Sequence, residues 1–208
     1  MFKDRTEAGM ILAEKLKALH LSNVCLLAVP RGGVVVAAPI AVTLDIVINL
    51  LVTRKIGHPA NEEVAIGAVM PDGSAIFDQR IINNIGITDD KLKRMIRQGY
   101  AEIVRRQLHY TGSTAIPDMN GKEALLVDDG IATGYTIRAA IQWLKTLKPS
   151  RIIVAVPIAP PDVVADLSQE VDTFICPVQP DSFSAVAAYY KDFSETKDQD
   201  VMQLLPRK

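Results

Sequence analysis

EALLVDDGIATGYTIRAA, residues Glu123 to Ala140, passes through several kinds of sequence in quick succession. Ala124 to Val127 is a short apolar run, the pattern of a buried strand. Asp128 and Asp129 follow at once, and Gly130 to Thr136 is rich in Gly and Thr. From Ile137 onward the apolar residues Ile137, Ala140, Ile141 and Leu144 recur three or four apart, which is helix spacing. The stretch therefore reads as a strand, an acidic tip, a tight loop and a helix. At such a junction the unpartnered N–H groups and the positive helix end converge on a place suited to an anion. Gly130 and Gly134 let the backbone approach a phosphate closely, and Thr133 and Thr136 add hydroxyl donors. Two carboxylates beside such a place repel a bare phosphate. They suit a ligand that carries hydroxyls or a metal one step away from its phosphate, and a sugar phosphate has that form.

Other readings of the same stretch fit less well. It is no P-loop, because no Lys-Ser/Thr follows the second glycine, and the chain has no G-x-G-x-x-G. A phospho-receiver domain would place another Asp at a later strand tip, where this chain has VAVPIAP. A plain strand–turn–helix with solvated aspartates leaves the coincidence of acid pair and Gly/Thr loop without a reason.

LLVDDGIATG resembles the phosphoribosyl-diphosphate signature of type I phosphoribosyltransferases. The resemblance implies that Asp128 and Asp129 hold ribose hydroxyls and favour a cationic ring. It implies that Gly130, Ile131, Ala132, Thr133, Gly134, Tyr135 and Thr136 cradle the 5′-phosphate. It further implies Mg²⁺ brought by the substrate, with Asp128 and Asp129 as its protein contacts.

Composition agrees with an enzyme-sized α/β domain. The chain has 208 residues, 49% of them hydrophobic and 5% aromatic, enough for one domain with a small appendage. A net charge of −1 suggests neither nucleic acid nor a membrane surface as partner. The longest uncharged apolar stretch, Gly32 to Leu44, is too short to span a bilayer. Lys3, Asp4, Arg5 and Glu7 leave the first residues without the apolar core of a signal peptide. Cys25 and Cys176 sit in strand-like runs and read as free thiols in a reducing compartment, so the cytoplasm is the expected location. No Cys/His cluster has metal-ligand spacing, and His20, His58 and His109 stand alone.

Taken in order, Asp4 to Leu19 reads as a helix with Asp4 and Glu7 as a capping box and Ala8, Leu12, Leu16 and Leu19 on one face. Val24 to Val29 is a buried strand that runs into Pro30-Arg31-Gly32-Gly33 and a hydrophobic helix to about Leu44, in which Pro39 is expected to make a kink. Two strand–loop–helix units put two anion-friendly loops at one carboxyl edge of a parallel sheet. The Arg31-Gly32-Gly33 loop is similar to the pyrophosphate loop of the same family, where a strained peptide bond is common. Ile46 to Val52 is the next strand, with Arg54 and Lys55 at its end. Ile56 onward, IGHPANEEVAIGAVMPDGS, reads as a long mobile loop and then a hairpin around Pro71-Asp72-Gly73-Ser74. The stretch Arg54-Lys55-Ile56-Gly57-His58-Pro59 resembles the opening of the flexible catalytic loop of adenine-type enzymes, which implies that Arg54 and Lys55 neutralise the departing diphosphate.

Thr88 to Tyr110 is a long helix with an apolar face of Leu92, Ile96, Tyr100, Ile103, Val104 and Leu108. Its basic remainder is a solvated surface or a subunit contact, and a homodimer is compatible with it. Beyond the central stretch come a strand at Ile152 to Val156, a helix from Pro161 to about Leu167 and a strand at Val171 to Cys176. The tail from Pro177 holds Phe183, Tyr189, Tyr190 and Phe193, which either stack on a base or pack on the sheet edge.

The expectation is a Rossmann-like, doubly wound α/β domain with about five mainly parallel strands. Its core spans about 20–55 and 120–176, with a small hood or lid from 1–19, 56–84 and 177–208. The resemblance implies transfer of a phosphoribosyl group to a nitrogen nucleophile such as a nucleobase. Enzymes for 6-oxopurines carry an Asp where this chain has Ala132 and a Lys where it has Ile158-Ala159-Pro160, so hypoxanthine and guanine are disfavoured. The alternative is a regulator that binds phosphoribosyl diphosphate or a nucleotide without turnover; retention of Lys55 favours the enzyme.

Overall fold

The structure, a computed structural model, describes residues 1–58, 61–77 and 79–205. In chain order the elements are α1 (Arg5–Lys17), β1 (Val24–Ala28), α2 (Gly32–Leu44), β2 (Ile48–Leu50), β3 (Arg54–His58), β4 (Asn61–Val69), β5 (Ala75–Phe77) and α3 (Gln79–Ile85). Then follow α4 (Asp89–Thr111), β6 (Glu123–Val127), α5 (Tyr135–Thr146), β7 (Arg151–Ala155), α6 (Pro161–Ser168), β8 (Thr173–Ile175) and α7 (Asp198–Leu204), with a 3₁₀ turn at Val186–Tyr189 before α7. The chain forms two compact units. One contains Met1–Leu51, Pro117–Gly134 and Leu147–Lys208; the other contains Val52–Ile116 and Tyr135–Thr146.

The first unit is built on a five-stranded parallel sheet in the order β2-β1-β6-β7-β8, the expected α/β architecture. Its strands are near-continuous apolar runs, as strands covered on both faces must be. Ala28 pairs with Val127, and Val127 with Ala155, so these three strands end level. Strand order runs one way from β1 to β2 and the other way from β1 to β6. That reversal opens a crevice at the carboxyl ends of β1 and β6, the usual ligand position in such sheets.

Helix α2 is apolar nearly all round because it packs on α1, on α7 and on β1, β2 and β6. Pro39 lies inside it, yet the helix is continuous from Gly32 to Leu44. A Cβ on Gly9 of α1 would run into the Val36 carbonyl and Pro39, so that glycine lets the two helices cross closely. Asp4 caps α1, accepting the Glu7 N–H at 2.8 Å. The aromatic tail packs on the body of the first unit: Tyr190 shares a buried cluster with Phe2, Ala8 and Ile158, and Phe183, Val186, Tyr189 and Phe193 lie against it.

The second unit corrects one expectation. Ile56–His58 and Asn61–Val69, parts of a stretch that reads as a long mobile loop, belong to an antiparallel sheet in the order β3-β4-β5. Weak periodicity hid it, because Gly57 and Gly67 interrupt the apolar pattern. Gly67 has a packing reason, since a Cβ there would strike the Phe77 ring across the ladder. Pro59 and Ala60 of that stretch lie outside the described residues. The hairpin at Pro71–Ser74 is present, and Asp72 organises it: one carboxylate oxygen accepts from Ser74 N and Oγ at 2.9 and 2.6 Å. The other accepts from Trp143 Nε1 at 2.9 Å, which ties α5 to the sheet.

Helix α4 runs as expected, capped by Thr88 and closed by Gly112. Its buried stripe is Gly99, Ile103, Gln107 and Tyr110, whereas Tyr100 and Leu108, assigned to the apolar face, are exposed. Gly99 leads the stripe because a side chain there would meet Val69. Among the described residues, no helix is long and apolar enough to cross a membrane.

Candidate active site at two strand tips

The crevice is made by the two segments that leave β1 and β6. Val29 N–H donates to the Val127 carbonyl at 3.0 Å, which keeps the segments paired one residue past the strands. The peptide between Pro30 and Arg31 is cis, and α2 starts at Gly32. A Cβ on Gly33 would lie 2.9 Å from the Val127 carbonyl oxygen and 3.0 Å from Asp128 Cα. One on Gly32 would run into the Asp129 carboxylate and Arg5 Nε. Both glycines are therefore needed for the acidic tip to lie directly on the first turn of α2.

Asp128 and Asp129 sit at that tip, partly buried. Asp128 Oδ1 accepts the Asp129 N–H at 2.8 Å. Asp129 Oδ2 is 2.7 Å from Arg5 Nε, in an ion pair whose side chains are only 11% (Arg5) and 18% (Asp129) exposed. Arg5 is held further by donating Nη1–H to the Ser194 carbonyl at 2.9 Å and by the Phe193 ring, 3.7 Å from its guanidinium carbon. Tyr190 donates its hydroxyl to the Asp129 carbonyl at 2.7 Å. Burial, and then the nearby charge of Asp129, push the Tyr190 phenol well above its usual range, with Asp128 adding to the effect and Arg5 opposing it.

No sequence motif marks Arg5 as a site residue. One local signal existed: a cation in the first turn of a helix opposes the helix dipole and so wants a partner elsewhere.

Arg31, expected to bind diphosphate, is held from the tail. Its Nη2 meets Glu195 Oε1 at 2.5 Å and its Nη1 lies 3.6 Å from Asp198 Oδ1. The loop after the acid pair splits by exposure. Ile131 is buried, its N–H donating to the Ile158 carbonyl at 2.9 Å, while Ala132 and Thr133 are exposed. Gly134 has a φ of +75°, and a Cβ there would come within 2.9 Å of Val163. Left-handed backbone and packing thus explain this glycine without any ligand.

The first unit therefore gathers Arg31, Gly32, Gly33, Asp128, Asp129 and the loop Gly130–Gly134. Tyr135 and Thr136 open α5 and belong to the second unit. So do Arg54 and Lys55, which are exposed at the start of β3. They line an open cleft of about 710 Å³ with Lys91, Gln98 and Glu102, among others.

A phosphoribosyl transferase domain model matches residues 2–193. The chain belongs to the phosphoribosyl transferase domain family. Within that family, it is 36% identical over 208 residues to MT0597 and to Rv0571c, proteins of two Mycobacterium tuberculosis strains, CDC 1551 and H37Rv. The match covers all of this chain and 47% of each relative, so the chain spans about half the length of these curated relatives. The crystal structure of TT1426 from Thermus thermophilus is 35% identical, superposes with a TM-score of 0.85, and covers 98% of this chain and 97% of its own.

Phosphoribosyl transferases generally use Mg²⁺, and the acid pair can be tested against that ion. Among the described residues, no group of three or more His, Cys, Asp or Glu could hold a metal. Mg²⁺ does not require one, since it keeps several waters and is usually held by one or two carboxylates plus substrate phosphates. Two adjacent aspartates at a strand tip fit that demand, although Arg5 already takes one oxygen of Asp129.

Proposed function

We propose that this chain transfers the 5-phosphoribosyl group of phosphoribosyl diphosphate to a ring nitrogen of a nucleobase, releasing diphosphate. The observation that carries the reading is the contact of Asp128-Asp129 with Gly32-Gly33 at the sheet's switch point, in a chain of this family. Such a contact would set carboxylates that accept from ribose hydroxyls one step from the backbone N–H groups at the start of α2, the spacing a sugar diphosphate needs.

In the reaction the bond from ribose C1 to the diphosphate oxygen breaks, the bond from C1 to the base nitrogen forms, and the nitrogen's proton goes to solvent. Positive charge grows on the ribose ring and negative charge on the leaving group, so fixed charges and donors suffice without a covalent intermediate. Asp128 and Asp129 accept from the ribose hydroxyls and favour the cationic ring. The loop from Gly130 to Thr136 holds the 5′-phosphate through backbone N–H groups and the Thr133 and Thr136 hydroxyls. Arg31, with the Gly32 and Gly33 backbone, holds the diphosphate, and Arg54 and Lys55 add charge as it leaves. Mg²⁺, when bound with the diphosphate, offsets its charge.

Ala132 supplies no base for a purine nitrogen, and Ile158 is buried with its carbonyl occupied by Ile131, which supports an acceptor other than a 6-oxopurine. The test is diphosphate release from phosphoribosyl diphosphate and Mg²⁺ across a panel of purines, pyrimidines and simple nitrogen heterocycles. Release with one base and not its neighbours is the expected result. Tight binding of phosphoribosyl diphosphate with no release across the panel would replace the enzyme with a ligand-binding regulator.

A further inference from the structure

Three consecutive residues of the tail reach the two arginines beside the crevice, Arg5 and Arg31. Phe193 lies under the Arg5 guanidinium, the Ser194 carbonyl accepts from it, and Glu195 pairs with Arg31. Asp198 adds a second carboxylate near the same guanidinium as Glu195, at 3.6 Å. The segment from 193 to 198 is anchored, since Tyr190 before it, Thr196 within it and Val201 after it are buried. Between the anchors the Glu195 side chain is 73% exposed and that of Asp198 45% exposed.

A guanidinium offers the same planar fork of donors to a carboxylate and to a phosphate. We infer that Glu195, with Asp198, is an internal anion that occupies Arg31 in place of the diphosphate, so that residues 193–198 form a strap whose acids the ligand must displace. The inference rests on the reading of Arg31 as a diphosphate-binding residue. An exposed ion pair contributes little, which suits a contact that has to open, and a diphosphate brings more negative charge to Arg31 than one carboxylate does. Because buried Tyr190 and Val201 flank the strap and Thr196 is buried within it, the exchange needs rotation of the two acidic side chains and leaves the backbone of the segment in place. The strap then acts as a competitor: every anion binds Arg31 less tightly by the small cost of displacing Glu195, and a multiply charged ligand meets that cost most readily.

The test is calorimetric titration of inorganic diphosphate with Mg²⁺, at low salt, into the full chain and two variants. Removing both charges in Glu195→Gln/Asp198→Asn should tighten binding by roughly three- to tenfold, a gain that damage to the fold would not produce. Arg31→Gln should weaken binding. If Arg31→Gln weakens binding while the double variant binds no more tightly than the native chain, the strap is not a competitor and the inference falls. If Arg31→Gln binds as the native chain does, or no protein binds diphosphate, the underlying assignment of Arg31 falls and takes the inference with it.

Discussion

Arg5 and Asp129, 124 residues apart, form a 2.7 Å ion pair at the mouth of the crevice. The pair sets the charge of the acidic tip, because without Arg5 two neighbouring carboxylates would share a partly buried site. Asp129 enters any ligand complex with one oxygen already committed and its orientation set by a side chain that Phe193 and Ser194 hold in turn.

Arg5→Met should therefore destabilise the fold by roughly 1–3 kcal/mol, the range for losing a partner of a charged group. Adding Asp129→Asn should cost less than the sum of the two single changes, since the second removes the charge the first left unpaired. Urea unfolding of the four proteins of this cycle measures the coupling. Additive effects would mean that the pair contributes nothing.

Gly134→Val should destabilise the fold itself. A β-branched residue at a φ of +75° is strained, and its side chain would enter the space beside Val163 and Leu167. Together these effects should cost about 2–5 kcal/mol, visible as a large fall in Tm without any ligand present. An unchanged Tm combined with lost affinity for ribose 5-phosphate would instead assign this glycine to the ligand alone.

Lys55→Ala separates turnover from binding. If Lys55 meets the leaving diphosphate, it acts more strongly in the transition state than in the ground state. Affinity for phosphoribosyl diphosphate should stay within roughly tenfold, about 1.4 kcal/mol, while kcat with the correct base falls by roughly a hundredfold or more. An equal loss in both quantities would describe a residue that only holds the ligand.

Cys176 should resist alkylation at pH 8 in the native chain and react once the chain is unfolded. Burial is the main cause that pushes its thiol up to about 12, against weaker lowering by backbone hydrogen bonds, so the reactive thiolate is scarce. The linked stability follows the same sign. A raised folded pKa stabilises the fold fully below the unfolded value near 9.0, and that contribution is lost as pH rises through about 12. Tyr190, raised by burial and by Asp129, works in the same direction, so stability should fall with increasing alkalinity. Tyr190→Phe should reduce that alkaline slope.

Local order was written in the residues. The apolar run before Asp128, the Gly-rich segments after it and after Val29, and the three-to-four spacing beyond Ile137 were enough to read strand, loop and helix, because each depends on neighbours in the chain. Two such units in one sequence also implied a parallel sheet with two loops at one edge. What tertiary structure decided was who partners whom. Arg5, Glu195 and Asp198 carry no sequence feature that names Asp129 and Arg31 as partners, because an ion pair between distant residues depends only on how helices and tail are laid over the sheet. The same holds for the glycines. Gly32, Gly67 and Gly134 look alike in sequence, yet the atoms that would meet a side chain at each are the Asp129 carboxylate, the Phe77 ring and the Val163 methyl. Strand β4 stayed hidden for a related reason: its pattern is set by pairing with β3 and β5, and contact across a ladder leaves little periodicity along the chain.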